Sequence, residues 1–167
     1  MSKRTDRLTV PMTIEWSGKS NRKNFLKFLL ETNNFTSMIE VGVMDGRTTF
    51  FLLDQLPNLT IQAIDTNIKL FYNQTIKEKY GPRLIPLQGL SEHIADQIPN
   101  NSVDLVFIDA NHNYEFVKKD ILKYKSKLKP GGILCGHDID YPGVNRAVNE
   151  LLKFDVGPNF VWVMKNG

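Results

Sequence analysis

Short apolar runs rich in Ile and Val alternate along this chain with longer stretches that have the period of a helix. The runs lie at residues 37–43, 60–65, 84–88, 103–109 and 132–137. They show little alternation between apolar and polar positions, which is typical of strands that are covered on both faces in a parallel sheet. This order of strands and helices predicts a doubly wound α/β fold with right-handed crossovers.

The stretches between the runs predict five helices. They lie at residues 21–31, 48–56, 67–80, 114–128 and 144–152. The hydroxyl groups of Thr48 and Thr49 and the amide of Asn67 stand where helix-capping side chains are expected. Pro or Gly follows three of these stretches, and both residue types favour the end of a helix.

The last part of the chain predicts a hairpin instead of another strand–helix unit. Residues 154–156 and 160–164 are separated by Gly157, Pro158 and Asn159, which favour a tight turn. The sequence therefore predicts a mostly parallel, seven-stranded sheet that ends in an antiparallel hairpin.

Composition excludes several classes of protein. The 167 residues fit one domain that is large enough to bury a core. A single cysteine, Cys135, rules out an intrachain disulfide framework, so we expect a reducing, cytoplasmic environment. No apolar run approaches the ~20 residues of a membrane span, and the charged residues 1–7 do not read as a signal peptide. The formal net charge of +3 is mild and does not require a nucleic-acid partner.

Ligands of open α/β sheets bind beyond the carboxyl ends of the strands. After the first strand, Gly42 and Gly46 permit a tight turn and a close approach between the backbone and a ligand. The second strand ends in Asp65, where doubly wound proteins hold ribose hydroxyls. A dinucleotide fingerprint would need glycine where Met44 stands, and a third glycine that is missing here. The spacing therefore favours an adenosyl ligand without phosphates.

Structural roles are the alternative for these residues. Gly42 and Gly46 could be plain turn residues. Glu40 lies inside the otherwise apolar first strand, where a carboxylate is costly without a partner. It could be a structural hydrogen-bonding group.

Polar side chains also follow the fourth and fifth strands. Asp109 and His112 follow the fourth, and His137, Asp138 and Asp140 follow the fifth. Because the carboxyl ends of parallel strands meet at one edge, we expect these groups in one neighbourhood. Such a group can bind a divalent cation or transfer protons. The alternatives are a turn-capping role for Asp109, hydrogen-bonded structural roles for both histidines and a turn position for Asp140.

Residues 40–46, Glu-Val-Gly-Val-Met-Asp-Gly, together with Asp65 resemble the first two motifs of class I S-adenosylmethionine-dependent methyltransferases. The version without a middle glycine is similar to that of small-molecule O-methyltransferases of the catechol, caffeoyl-CoA and macrocin type. The resemblance implies a Rossmann-like methyltransferase fold. It also implies one domain, with an N-terminal arm and helix at residues 1–33 and a catalytic core at residues 34–167.

The same resemblance implies a set of cofactor contacts. The loop from Gly42 to Gly46 would pass beside the methionine part of S-adenosylmethionine, and Asp65 would bind the ribose hydroxyls. Leu90 and Ser91 would contact adenine, unless Ser91 is a plain helix N-cap. The implied cofactor-binding residues are Glu40, Gly42, Val43, Met44, Gly46, Asp65, Thr66, Leu90, Ser91 and Asp109.

Residues 107–114 and 129–138 resemble the branch that contains macrocin-type sugar O-methyltransferases. Metal-dependent relatives hold Mg²⁺ with an Asp at the end of the fourth strand and an acidic pair after the fifth. Asp109 and Asp138 match such metal ligands, whereas His137 stands where a carboxylate is expected.

The resemblance therefore implies O-methylation of a small hydroxylated molecule, with Asp109, His112 and Asp138 as catalytic residues. Two mechanisms stay open. A magnesium ion held by Asp109 and Asp138 would lower the pKa of the acceptor hydroxyl, or His112 would take the proton. Asn111 stands where relatives often have Asp, so the identity of the base stays open as well.

Three other functions compete with this interpretation. Met44 and the missing third glycine argue against a nicotinamide-dependent oxidoreductase. The polar cluster argues against a module that only binds S-adenosylmethionine. A nucleic-acid methyltransferase would carry an Asn/Asp-Pro-Pro-Tyr/Phe motif that is absent after the fourth strand, and the lysines between residues 118 and 129 indicate a solvated helix face.

We expect a small-molecule acceptor and neither a nucleic-acid nor a membrane partner. The chain offers few residues to cover the acceptor side of the site. Residues 13–16 are one candidate cover, although packing on the sheet is the alternative. A second copy of the chain, in a homodimer, is another.

Overall fold

A computed structural model describes residues 21–167 and contains one seven-stranded sheet. Its strands are β1 (Ser37–Val41), β2 (Thr60–Asp65), β3 (Leu84–Gln88), β4 (Val103–Ile108), β5 (Leu128–Gly136), β6 (Asp155–Val156) and β7 (Trp162–Lys165). The strand order is β3-β2-β1-β4-β5-β7-β6. The first five strands are parallel, and β7 runs antiparallel to both β5 and β6. The predicted fold and its closing hairpin are confirmed.

Helices cover both faces of the sheet. They are α1 (Asn21–Thr32), α2 (Arg47–Gln55), α3 (Gln74–Tyr80), α4 (Ser91–Ala95), α5 (Tyr114–Lys125) and α6 (Pro142–Leu151). Side chains of α1, α2 and α3 pack on one face, and side chains of α4, α5 and α6 pack on the other. Because both faces of the central strands are covered, their residues are apolar at nearly every position.

The helix predicted over residues 67–80 is wrong in its first half. A short 3₁₀ turn at Ile68–Leu70 comes first, and α3 begins only at Gln74. The side chain of Asn67 caps nothing, and its backbone N–H donates to Asp65. Asn73 caps the helix instead, because its Oδ1 accepts from the backbone nitrogen of Ile76 at 3.0 Å.

Two further boundaries differ from the prediction. Gly46 is the N-cap residue of α2, in the left-handed conformation, and as a glycine it has no side chain to cap the helix. Thr48 and Thr49, predicted as capping residues, are both buried. Helix α5 ends at Lys125 and β5 already begins at Leu128, so the Pro-Gly-Gly segment lies inside the strand.

The first twenty residues of the chain, including the candidate cover at residues 13–16, lie outside the described part. Within residues 21–167, no helix combines the length and the apolar character that a membrane span needs.

Candidate active site

A cleft of about 310 Å³ opens at the carboxyl ends of β1, β2 and β3, and we name it the nucleoside cleft. Five of the predicted cofactor residues line it: Gly42, Asp65, Thr66, Leu90 and Ser91. The aromatic ring of Phe116 and the carboxyl group of Asp120, both on α5, line it as well. Neither was predicted as a site residue.

A second cleft of about 450 Å³, the polar cleft, adjoins the first. Gly42 and Ala110 line both clefts, so the two are continuous. The predicted residues that line the polar cleft are Glu40, Gly42, Val43, Met44, Asp109, His112, His137 and Asp138. Gly46 lines neither cleft, since it is the N-cap of α2 and lies against Phe50.

Asp65 links the loops that follow the first two strands. Its Oδ2 accepts from the backbone nitrogens of Val43 and Met44, each at 2.9 Å. Its Oδ1 accepts from the backbone nitrogen of Asn67 at 3.0 Å. An ionised carboxylate offers about four acceptor positions, so these bonds leave capacity for a ligand hydroxyl.

Gly42 is required by the sheet itself. Its φ of +87° lies in the left-handed region, and a Cβ atom there would be 2.4 Å from the carbonyl oxygen of Asp109. The glycine thus permits a close approach between the ends of β1 and β4. The sequence predicted a close approach to a ligand, and the structure shows one to the neighbouring strand end.

Glu40 is 2% exposed, and its Oε2 accepts a hydrogen bond from the hydroxyl of Thr49. Burial raises the pKa of Glu40 to about 8, although the bond from Thr49 acts in the opposite direction. The side chain is therefore mostly protonated at neutral pH. Thr49 is the partner that a buried carboxyl group needs.

The polar cleft contains a connected cluster of five side chains. His112 Nε2 lies 2.6 Å from Asp138 Oδ2, and His137 Nδ1 lies 3.0 Å from Asp138 Oδ1. Arg22 Nη1 lies 3.1 Å from both Asp109 Oδ2 and His137 Nδ1. We name Arg22, Asp109, His112, His137 and Asp138 the polar cluster. The structure thus brings together four residues predicted from the ends of β4 and β5, and adds Arg22 from α1.

Aromatic and backbone contacts hold the loops of the polar cluster. The ring of His112 stacks on the ring of Tyr141 at 4.4 Å between centroids. A Cβ atom on Gly143 would lie 2.2 Å from the carbonyl oxygen of His112, so the loop after β4 touches the first turn of α6. Asp140 is exposed in the turn between β5 and α6, as its alternative structural role implied.

The charges of the polar cluster influence His137. Burial by itself would lower the pKa of His137, but the carboxylates of Asp109 and Asp138 outweigh it and raise the pKa above the usual range. The guanidinium of Arg22 opposes this rise. The two carboxylates and the guanidinium thus act on the pKa of His137 in opposite directions.

The side chains of the polar cluster are a poor match to the ligands that Mg²⁺ prefers. One atom each from Asp109, His137 and Asp138 lies within 4.8 Å of the others. However, Mg²⁺ prefers six oxygen ligands in an octahedron, and one of these three donors is an imidazole nitrogen. Arg22 already bonds Asp109, and each oxygen of Asp138 faces a histidine. The magnesium site at Asp109 and Asp138 stays a prediction.

Ser91 and Asp120 are hydrogen-bonded to each other in the wall of the nucleoside cleft. Ser91 is the first residue of α4, and Leu90 holds the N-cap position without a side-chain bond. The hydroxyl of Ser91 donates to Asp120 Oδ1 at 2.5 Å, and the carbonyl oxygen of Ser91 accepts from the hydroxyl of Tyr124 at 2.6 Å. Burial raises the pKa of Asp120 to about 6, against the effect of Ser91. Ser91 is therefore not a plain N-cap.

Of the two polar site residues that the sequence analysis did not predict, Asp120 has a recognisable sequence signal and Arg22 has none. Asp120 lies with Val117, Ile121 and Tyr124 at the spacing of one helix face, and all four are buried. A carboxylate on an apolar helix face is a signal that could have revealed it. Arg22 stands among other basic residues at the start of α1, and no local pattern sets it apart.

Comparison with known proteins adds a family match. Residues 39–139 match the model of a family described as a methyltransferase domain. The matched segment runs from β1 through the loop after β5, so it includes most residues of both clefts. The sequence has no match among curated proteins.

Solved structures share the fold at low sequence identity. A protein of Staphylococcus aureus assigned as a caffeoyl-CoA O-methyltransferase is 16% identical, with a TM-score of 0.75 over 90% of this chain and 85% of that chain. A TDP-rhamnose 3′-O-methyltransferase of calicheamicin biosynthesis is 18% identical, with a TM-score of 0.69 over 90% and 81%. An O-methyltransferase of Bacillus cereus, in complex with S-adenosylhomocysteine, is 14% identical, with a TM-score of 0.68 over 91% and 84%.

Proposed function

This chain belongs to the methyltransferase-domain family, and we propose that it transfers a methyl group from S-adenosylmethionine to an oxygen of a small hydroxylated molecule. The observation that carries the proposal is the continuity of the nucleoside cleft with the polar cleft at Gly42 and Ala110. A ligand held in the first cleft can present one end to the cluster in the second.

The residues of the nucleoside cleft fit an adenosyl group. Asp65 keeps acceptor capacity for the ribose hydroxyls, and Leu90, Ser91 and Phe116 offer apolar and polar surface for the base. Gly42, Val43 and Met44, with the mostly protonated Glu40, line the adjoining wall of the polar cleft, where the methionine part would lie. When bound, S-adenosylmethionine supplies a methyl group on a positively charged sulfur, which becomes a neutral thioether as the carbon–sulfur electron pair returns to it.

The proton of the acceptor passes to His112. Since Nε2 of His112 faces Asp138 at 2.6 Å, Nδ1 is the ring nitrogen left to accept a proton. Asp138 orients the ring and stabilises the imidazolium, as a carboxylate does for a catalytic histidine. The acceptor oxygen loses its proton to His112 and forms the new bond to the methyl carbon. His112 is 42% exposed on its side chain, so it can then release the proton to solvent.

Positioning accounts for the rest of the rate, because the methyl donor is already activated. Asp109 lines the polar cleft and is held by Arg22. We assign the catalytic core to residues 34–167, with α1 supplied by the arm and helix at residues 1–33. The acceptor class, a small hydroxylated molecule, is supported by the family resemblance and by the enzymes that share the fold.

A turnover assay tests the proposal. The purified protein is incubated with isotopically labelled S-adenosylmethionine and a panel of catechols, acyl-CoA phenols and nucleotide sugars, and S-adenosylhomocysteine is measured. We expect turnover with at least one acceptor, and a loss of about 10²–10⁴-fold in kcat for His112→Ala. His93→Ala is the matched control, since His93 is an exposed histidine on α4. Full activity of His112→Ala would contradict the assignment of the base.

A further inference from the structure

Arg22 supplies a positive charge to the polar cluster from outside the strand ends that form it. Its Nη1 lies 3.1 Å from Asp109 Oδ2 and 3.1 Å from His137 Nδ1. Its side chain is 27% exposed, and those of Asp109 and Asp138 are 21% and 17% exposed. Charges interact strongly in such partly desolvated surroundings. The guanidinium is thus a fixed cation bound to Asp109 and His137.

The same place would otherwise suit a divalent metal ion. Asp109, His137 and Asp138 offer two carboxylate oxygens and one imidazole nitrogen within 4.8 Å of one another. Mixed oxygen and nitrogen donors suit divalent transition-metal ions better than Mg²⁺, which prefers oxygen ligands. Arg22 already bonds two members of this set, so an incoming ion would have to displace it.

Anchoring of α1 does not depend on Arg22. Phe25, Leu26, Leu29 and Leu30 of this helix are buried in the apolar core. Arg22 Nε, in contrast, is buried without a hydrogen-bond partner. An unmet buried donor is unfavourable for folding, so stability alone does not explain an arginine at this position.

We propose that the guanidinium of Arg22 is the resident cation of the polar cluster and stands in place of a divalent metal ion, so that removing it turns the cluster into a metal site. A second part of the proposal rests on the proposed function: Arg22, which lines the polar cleft, supplies the positive charge that stabilises the acceptor oxygen as it becomes anionic. The acceptor chemistry is then independent of added metal.

Binding of Mn²⁺ alone, measured by calorimetry and electron paramagnetic resonance, tests the proposal without methyl donor or acceptor. Wild-type protein is expected to bind Mn²⁺ weakly. Arg22→Gln is expected to bind it at least about tenfold more tightly, a difference of ~1.4 kcal/mol. Adding Asp138→Asn to Arg22→Gln is expected to abolish the gain, because the cluster then lacks one carboxylate ligand.

Arg47→Gln is the matched control. Arg47 also lines the polar cleft, but it is 79% exposed and pairs with Asp45 through a 2.7 Å contact. Its removal takes one positive charge from the cleft and leaves the bonds of Arg22 in place, so the affinity for Mn²⁺ is expected to stay at the wild-type value. A gain in Arg47→Gln equal to that in Arg22→Gln would overturn the proposal, since it would reflect net charge alone.

Two more results would overturn it. One is an affinity of the wild-type protein for Mn²⁺ that equals that of Arg22→Gln. The other is tight binding of Mn²⁺ by the wild-type protein, a result that can be read even if the variant does not fold. Separate titration of wild-type protein with S-adenosylhomocysteine distinguishes this outcome from failure of the proposed function. If S-adenosylhomocysteine does not bind but Mn²⁺ binds the variants as expected, only the methyl-transfer role is refuted.

Discussion

The carboxylate of Asp65, at the end of β2, accepts a hydrogen bond of 2.9 Å from the backbone nitrogen of Val43, in the loop after β1. The same oxygen accepts from Met44, which has a positive φ of 57°. Outside glycine this conformation is uncommon and needs support from its surroundings. Asp65 supplies that support while it lines the nucleoside cleft, so the side chain proposed to bind the ribose also holds the loop.

Loss of Asp65 should therefore loosen the loop even without a ligand. In Asp65→Ala we expect hydrogen exchange at the amides of Val43 and Met44 to accelerate about fivefold, since each lost bond contributes ~1 kcal/mol. Asp45→Ala is the matched control, because Asp45 lies in the same loop and bonds Arg47 instead. Unchanged exchange at both amides in Asp65→Ala would show that the loop does not depend on this carboxylate.

Glu40 should make the fold less stable as pH rises. Its pKa is about 8 when folded, against 4.5 for an ordinary glutamate. The folded chain thus holds a proton that the unfolded chain releases, and stability falls as pH rises from 4.5 to about 8. Glu40→Gln removes this proton difference, so its free energy of unfolding should exceed that of the wild type by about 3 kcal/mol at pH 7 and by little near pH 4.5.

Denaturant unfolding at several pH values measures this difference. Glu115→Gln, an exposed glutamate on α5, is the control and should keep the wild-type pH dependence. Parallel curves for wild type and Glu40→Gln across this pH range would mean that Glu40 is not held protonated.

Gly42 and Gly131 allow steric crowding to be separated from backbone strain. Both have positive φ values, +87° and +81°. A Cβ atom on Gly42 would lie 2.4 Å from the backbone oxygen of Asp109, whereas one on Gly131 meets nothing within 4 Å. We expect Gly131→Ala to cost about 1 kcal/mol of unfolding free energy, and Gly42→Ala to cost at least about 3 kcal/mol. Equal urea unfolding midpoints for Gly42→Ala and Gly131→Ala would refute the close approach of β1 to β4.

The sequence predicts the fold well because burial on both faces leaves a strong signal. Residues 60–65 and 84–88 match β2 and β3 at both ends. The interruption before α3 was missed because Asn67 looks like a cap, while its backbone N–H is bound by Asp65. Whether an N–H is free for a helix start depends on a partner that no local pattern reveals.

The candidate site is predicted where strand ends carry polar residues. Topology brings Asp109, His112 and Asp138 to one edge, since β4 and β5 are neighbours in the sheet. Arg22 could not be predicted, because it precedes Asp109 by 87 residues and is joined to it only by packing of α1. Asp120 carried a readable signal, as a carboxylate on an apolar helix face.

Calorimetric titration with S-adenosylhomocysteine tests the central claim most directly, with NADH as the competing ligand and Asp65→Ala as the variant. The methyltransferase assignment predicts saturable binding of S-adenosylhomocysteine to the wild-type protein, at least about tenfold weaker binding to Asp65→Ala, and no binding of NADH. Binding of NADH without binding of S-adenosylhomocysteine, or equal affinity of both proteins for S-adenosylhomocysteine, would contradict it.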